Sequence, residues 1–178
     1  MSTIEIDQQT DAKKIVDAIG SISNEIDKDT ANAFSAFKAQ SKLSKGLKAD
    51  ITIRGFELTA DEPEALGGDN QGPNPVEIVL GAFASCQEIV IKAYAAVLGI
   101  KIESIDVSAV GNLDLRGFFN LAEVRPGFQS VHFKTTIQTD EKDEEKLENL
   151  KYFALHKCPV MDMLRNPVPV EGDITVNN

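Results

Sequence analysis

Tryptophan is absent from the 178 residues, cysteine and histidine occur twice each, and arginine only four times. Each scarcity excludes something. The two cysteines and two histidines show no C-x-x-C or H-x-x-H spacing, and His156 and Cys158 stand too close on one helix to face each other, so metal binding is not expected. Basic charge is also short: Lys+Arg 18 against Asp+Glu 28 leaves a net charge of −10. Nucleic acid and anionic membranes both demand clustered positive charge, so neither is expected as a partner. No long apolar run is free of charge. The longest carries Glu77, Gln87, Glu88 and Lys92, which argues against a membrane span. No basic start followed by an apolar core announces a secretory signal. LGGDNQG lacks the Lys-Ser/Thr of a phosphate loop. The chain therefore reads as cytoplasmic, where a cysteine pair points to redox chemistry rather than to a structural staple.

What is present is an ordinary globular composition, 42% hydrophobic and 26% charged, with internal repeats and low-complexity tracts absent. The length suits one domain with an extension. Residues 1–44 read as an N-terminal helical extension. Asp11 caps a helix over Ala12–Ile26 with Ile15, Ile19, Ile22 and Ile26 on one face, and Asp29-Thr30 opens a second helix carrying Phe34 and Phe37. Residues 45–178 read as the main domain. Leu47, Ala49, Ile51 and Ile53 alternate as a strand that bends at Arg54-Gly55. Asp61–Pro73 is a loop. Asn74, Pro75 and Glu77 then mark a helix start, and the run to Leu98 is apolar nearly all round, as in a buried central helix stopped by Gly99.

Strands follow over Ile102–Leu115 and Val131–Ile137, separated by a loop over Gly117–Gly127. Thr139-Asp140 begins an acidic helix with Leu147, Leu150, Phe153 and Ala154 inward, and Glu141–Glu148 as its solvated face. Cys158-Pro159 restarts a short helix to Arg165, and Val168–Val176 alternates as a last strand.

The two cysteines stand in unlike settings. Cys86 lies within the apolar helix, where free cysteine is often only a small hydrophobe. Cys158 precedes a proline, at or next to a helix start, a setting that suits a thiol engaged in exchange.

The stretches DEPEALGGDNQGPNPVEIVLGAFASC, VSAVGNLDLRGF, RPGFQSV and HKCPVMDMLRNPVPVE resemble the OsmC/Ohr-like family, the osmotically inducible protein C and organic hydroperoxide resistance proteins. The resemblance spans about residues 45–176 and is nearer the broad OsmC-like branch. It implies an α+β fold, two small antiparallel sheets around two central helices, in an intertwined homodimer with active sites at the subunit interface. It implies a cofactor-free thiol peroxidase acting on organic hydroperoxides. Cys86 takes the place of the attacking thiol and Cys158 that of the resolving one, with an external dithiol as reductant. The family's activating arginine comes from the early strand region, where Arg54 is the candidate beside Lys45 and Lys48. Glu77 is the candidate for the glutamate that anchors it. Yet the Asn-Pro register puts Val76 in that place, and Glu77 at N3 is also what a capping box wants. An alternative follows from that mismatch: a low-turnover dimeric redox-sensing or small-molecule-binding protein on the same fold.

Overall fold

Local sequence signals decide most of the elements in the computed structural model, which describes residues 3–177. In chain order these are α1 (Thr3–Lys28), β1 (Gln40–Lys45), β2 (Lys48–Ile53), β3 (Phe56–Ala60), α2 (Pro75–Leu98), β4 (Ser104–Leu113), α3 (Leu115–Phe118), β5 (Phe128–Gln138), α4 (Glu144–His156) and α5 (Pro159–Arg165). The architecture is α+β. One sheet has the order β1-β2-β3 and the other pairs β4 with β5, both antiparallel.

The centre is α2. Asn74 caps it, Pro75 fits its first turn, and Gly99 ends it in the left-handed region at φ 69°. Its buried residues are Phe83, Gln87, Ile91 and Ala95, one residue every four, which makes a continuous ridge. Burying a side chain such as Phe83 or Ile91 contributes about 2 kcal/mol. The C-terminal half of the ridge packs with Ile100, Ile102, Leu150 and Ala154. Tyr94 stacks on Phe153 of α4 at 4.1 Å between ring centroids. The N-terminal half packs with Cys158 and Met161. β4 and β5 cover the ridge, with Ile105, Val107 and Ala109 inward on one strand and Val131, Phe133 and Ile137 on the other.

Several elements depart from the sequence expectations. α1 begins at Thr3, ahead of Ala12. The second N-terminal helix shrinks to a 3-10 turn, Thr30–Ala33, capped by Asp29. There Asn32 donates to the Glu25 carbonyl at 2.9 Å, which folds the turn back on the end of α1. Phe34 and Phe37 fall beyond that turn and stand 86% and 92% exposed. β1 takes in Gln40–Ser44, which the sequence pattern assigned to the helical extension. The acidic helix starts at Glu144 because Asp143 is its cap; Thr139 instead donates to the Lys101 carbonyl at 2.7 Å. The loop over Gly117–Gly127 is entered through the single turn α3. Val168–Val176 carries no regular secondary structure and joins no ladder among the described residues, so the expected last strand is not formed.

Candidate active site

Helix α2 carries Cys86 three residues after Phe83, on the side that faces α5. α5 begins at Cys158, and Pro159 occupies its first turn, where the missing N–H costs nothing. The Cys158 sulfur accepts from the Met161 backbone N–H at 3.4 Å, and this bond holds Sγ toward α2. The two sulfurs are 3.3 Å apart, and both cysteines are free. Cys158 is buried and Cys86 half-buried, so Cys86 is the thiol that a solute reaches.

Phe83 meets Phe133 edge-on at 5.2 Å, and with Met161, Val131 and Ala109 the rings make an apolar wall around the sulfurs. Burial pushes the Cys86 thiol above its ordinary value; the Val160 amide works in the opposite direction and does not offset it, and the neighbouring Cys158 adds to the rise. Beside the pair, Gln87 is buried and donates to the Ala154 carbonyl at 3.0 Å, which locks α2 to α4 and fixes the depth of Cys86.

Sequence reasoning brings Cys86 and Cys158 together, and the structure does so too. The other two candidates lie elsewhere. Glu77 completes the capping box: its carboxylate accepts from the Asn74 N–H at 2.8 Å, while Asn74 accepts from the Glu77 N–H at 2.9 Å. It is exposed and sits about 13 Å along the axis from Cys86. Arg54 occupies the β2–β3 turn at φ 60° and lies over the Phe56 ring of its own hairpin at 5.3 Å. Strands β1–β3 pack on one another and scarcely on the helices.

A helix start at Cys158-Pro159 implies free backbone amides beside that thiol, and the Met161 amide is one of them. One feature escaped the sequence reading. Asp61 is buried and accepts from the amides of Glu62 at 2.8 Å, Asp69 at 3.1 Å and Gln71 at 3.1 Å. Those amides, with Gln71 foremost, hold its carboxyl below the usual carboxylate range. Its acceptors brace the 61–73 loop that delivers the chain to the start of α2. Gly72 is forced there, since a Cβ would lie 2.4 Å from the Thr59 carbonyl oxygen. Asp61 stands within a polar loop, and the Gly and Asn residues that follow it were the available signal.

Among the described residues, no group of three His, Cys, Asp or Glu side chains is placed to hold a metal ion, and no helix is long and apolar enough to cross a membrane. A sequence model of the OsmC-like protein family matches residues 68–172, a stretch that contains both cysteines and most of their wall. The chain belongs to the OsmC-like family. Solved structures agree on the fold. An OsmC-like protein from Mycoplasma pneumoniae superposes at a TM-score of 0.63 with 16% identity, over 75% of this chain and 89% of that one. An organic hydroperoxide resistance protein OsmC from Legionella pneumophila gives 0.53 and 20%, over 74% and 90%. An organic hydroperoxide resistance protein from Elizabethkingia anophelis gives 0.55 and 16%, over 75% and 91%. Among curated proteins, no sequence matches. This OsmC-like chain thus has the α+β fold that its motifs implied.

Proposed function

We propose that the protein is a thiol peroxidase that reduces organic hydroperoxides, with Cys86 as the attacking thiol and Cys158 as the resolving one. The observation that carries this reading is the 3.3 Å approach of two free sulfurs from well-separated segments. The Cys86 thiolate attacks the terminal peroxide oxygen and the O–O bond breaks. The alkoxide leaves and takes a proton to become the alcohol, and sulfur is oxidised to a sulfenic acid. The deprotonated Cys158 sulfur then attacks Cys86 Sγ; the S–O bond breaks and hydroxide leaves as water. A disulfide needs about 2.05 Å between sulfurs, so side chains already at 3.3 Å close a gap of only about 1.2 Å. An external dithiol reduces the disulfide and is itself oxidised to a disulfide. The apolar wall of Phe83, Phe133 and Met161 favours an alkyl substituent over hydrogen peroxide.

The reading includes a homodimer. Leu43, Phe56 and Leu58 of the three-stranded sheet are 62%, 63% and 47% exposed, and the sheet finds little cover in its own chain. A second copy supplies that cover and brings the cation that burial of Cys86 makes necessary, Arg54 being the candidate. The raised thiol of Cys86 favours the second reading, a low-turnover redox sensor or small-molecule-binding protein. A consumption assay with cumene hydroperoxide and a dithiol separates the two. Sustained turnover that Cys86→Ser abolishes supports the peroxidase. A single stoichiometric oxidation without turnover supports the sensor.

A further inference from the structure

The four arginines divide evenly. Arg54 lies over Phe56, and Arg116 is held by Asp114 at 2.6 Å. Arg125 and Arg165 line one hollow of about 320 Å³, at the lower end of the usual size of a ligand site. The chain has 28 acidic residues, yet none lines this hollow, and neither guanidinium enters an ion pair among the described residues. Both arginines are exposed and so open to a solute. Both are also held in place. Nη1 of Arg165 donates to the Leu155 carbonyl at 2.9 Å. The Gln129 side-chain amide donates to the carbonyls of Arg125 at 2.9 Å and Gly127 at 3.2 Å, which fixes the Arg125 backbone. The Arg125 guanidinium then lies back over Gly127, with Nη2 only 3.7 Å from where a Cβ would stand.

Two irregularities build the aromatic wall of the hollow. Leu113 pairs with Phe128 and Asn112 with Ser130, so Gln129 is an extra residue on β5, a bulge. Val131 and Phe133 alternate inward on that strand, and an unbroken alternation would leave Phe128 outward. The bulge shifts the alternation by one and turns Phe128 to the inner face. Gly111 follows Ala109 on the inner face of β4, and a Cβ there would stand 2.4 Å from the Phe128 ring. The ring thus fills the place of a side chain that Gly111 lacks. Bulge and glycine together bring Phe128 into one hollow with Phe83, Phe133 and Met161. Those last three also wall the thiol pair, whereas neither cysteine lines the hollow. An occupant therefore rests against the outside of the thiol wall and is not the peroxide under reduction.

We propose that this hollow binds a compact aromatic monocarboxylate. Its ring packs among Phe83, Phe128 and Phe133, and its carboxylate meets Arg125 and Arg165. Guanidinium grips a planar carboxylate with two parallel bonds, and aromatic walls favour a flat ring. Nη1 of Arg165 is already committed to Leu155 and the walls are mostly apolar, so a dianionic phosphate would lose more water than the remaining donors replace. The site holds its ligand without chemistry and stands whether or not the protein turns over peroxide.

The test is calorimetry on the full chain with benzoate, phenylacetate and 3-phenylpropanoate, which differ in the reach from ring to carboxylate. The amide of each acid keeps the ring and removes the charge. The variants are Arg125→Gln, at an exposed position that gives up no ion pair, and Arg165→Gln, with its melting temperature followed because it gives up the bond to Leu155. Lys14→Gln removes the same charge from α1, away from the hollow. The expected result is saturable binding of at least one acid, one per chain, and binding of its amide about tenfold or more weaker. Both arginine variants should lose about tenfold or more in affinity for that acid, and Lys14→Gln should lose none. The proposal is overturned if none of the three acids binds, if the amides bind as well as the acids, or if Arg125→Gln keeps the wild-type affinity. It is equally overturned if Lys14→Gln loses as much as Arg125→Gln, which makes the effect one of net charge. Arginine variants that weaken self-association, in a wild type that binds no acid, would assign the hollow to a second copy of the chain and overturn it too.

Discussion

At the scale of single residues, Cys86 is the point at which environment and chemistry pull apart. Burial raises its thiol, which leaves little thiolate at neutral pH, while peroxide attack requires the thiolate. Each unit by which a cation lowers the value gives about ten times more thiolate. If Arg54 of a second copy supplies that cation, Arg54→Ala moves the midpoint of Cys86 alkylation upward, past an ordinary thiol at about 8.5. Turnover at pH 7 then drops by about tenfold or more. A midpoint unmoved by the substitution removes Arg54 from the site. Asp61 gives the second residue-scale prediction. Its carboxyl is held below the usual range by three backbone amides, so its contribution to stability is present above the unfolded value of about 3.9 and is lost as pH falls through the lower, folded one. Asp61→Asn accordingly lowers the melting temperature at pH 7, and the difference from wild type shrinks as pH drops below about 3.9; a pH-independent difference would mean the charge plays no part. The pairing of the two thiols was legible only through the family resemblance, since a cysteine within an apolar helix reads by itself as a small buried hydrophobe; their roles as attacking and resolving thiols are the proposal the experiments test. The amides around Asp61 were not legible, since backbone donors carry no residue signature.

At the scale of elements, capping and catalysis compete for Glu77, and the geometry gives its carboxylate to the cap. Asn74→Ala costs about 1 kcal/mol of stability. Glu77→Ala costs a comparable or smaller amount, and both leave kcat per folded molecule as it was. A fall in kcat for Glu77→Ala with the fold intact would restore its catalytic reading. The helices were the most legible part of the sequence because Asn74, Pro75 and Gly99 punctuate α2 without help from the rest of the chain. Strands were less so. β1 is QSKLSK, with a single large apolar residue, and its pairing with β2 comes from the turn at Lys45-Gly46-Leu47 rather than from any alternation of its own. Val168–Val176 fails in the opposite way: the alternation is there, but a strand exists only where a neighbour completes its ladder.

At the scale of the whole molecule, one chain leaves much undone. The β1–β3 sheet presents Leu43, Phe56 and Leu58 to solvent, and α2 leaves Ile89 and Val97 68% and 52% exposed. Sedimentation at micromolar concentration should give twice the chain mass, and Phe56→Glu should shift it toward the single chain; a stable wild-type monomer would remove the dimer. The family relationship follows from residues 68–172, and the fold from structures no more than 20% identical at the comparisons given. The thiol pair is the feature from which the peroxidase reading is built, and mass spectrometry tests it most directly. After one equivalent of cumene hydroperoxide, the wild type should lose two hydrogens and yield a Cys86–Cys158 cross-linked peptide, and Cys158→Ser should instead gain one oxygen as a sulfenic acid on Cys86. A wild type that remains fully reduced, or a sulfenic acid found on Cys158 in the Cys86→Ser variant with wild-type peroxide consumption, would contradict it.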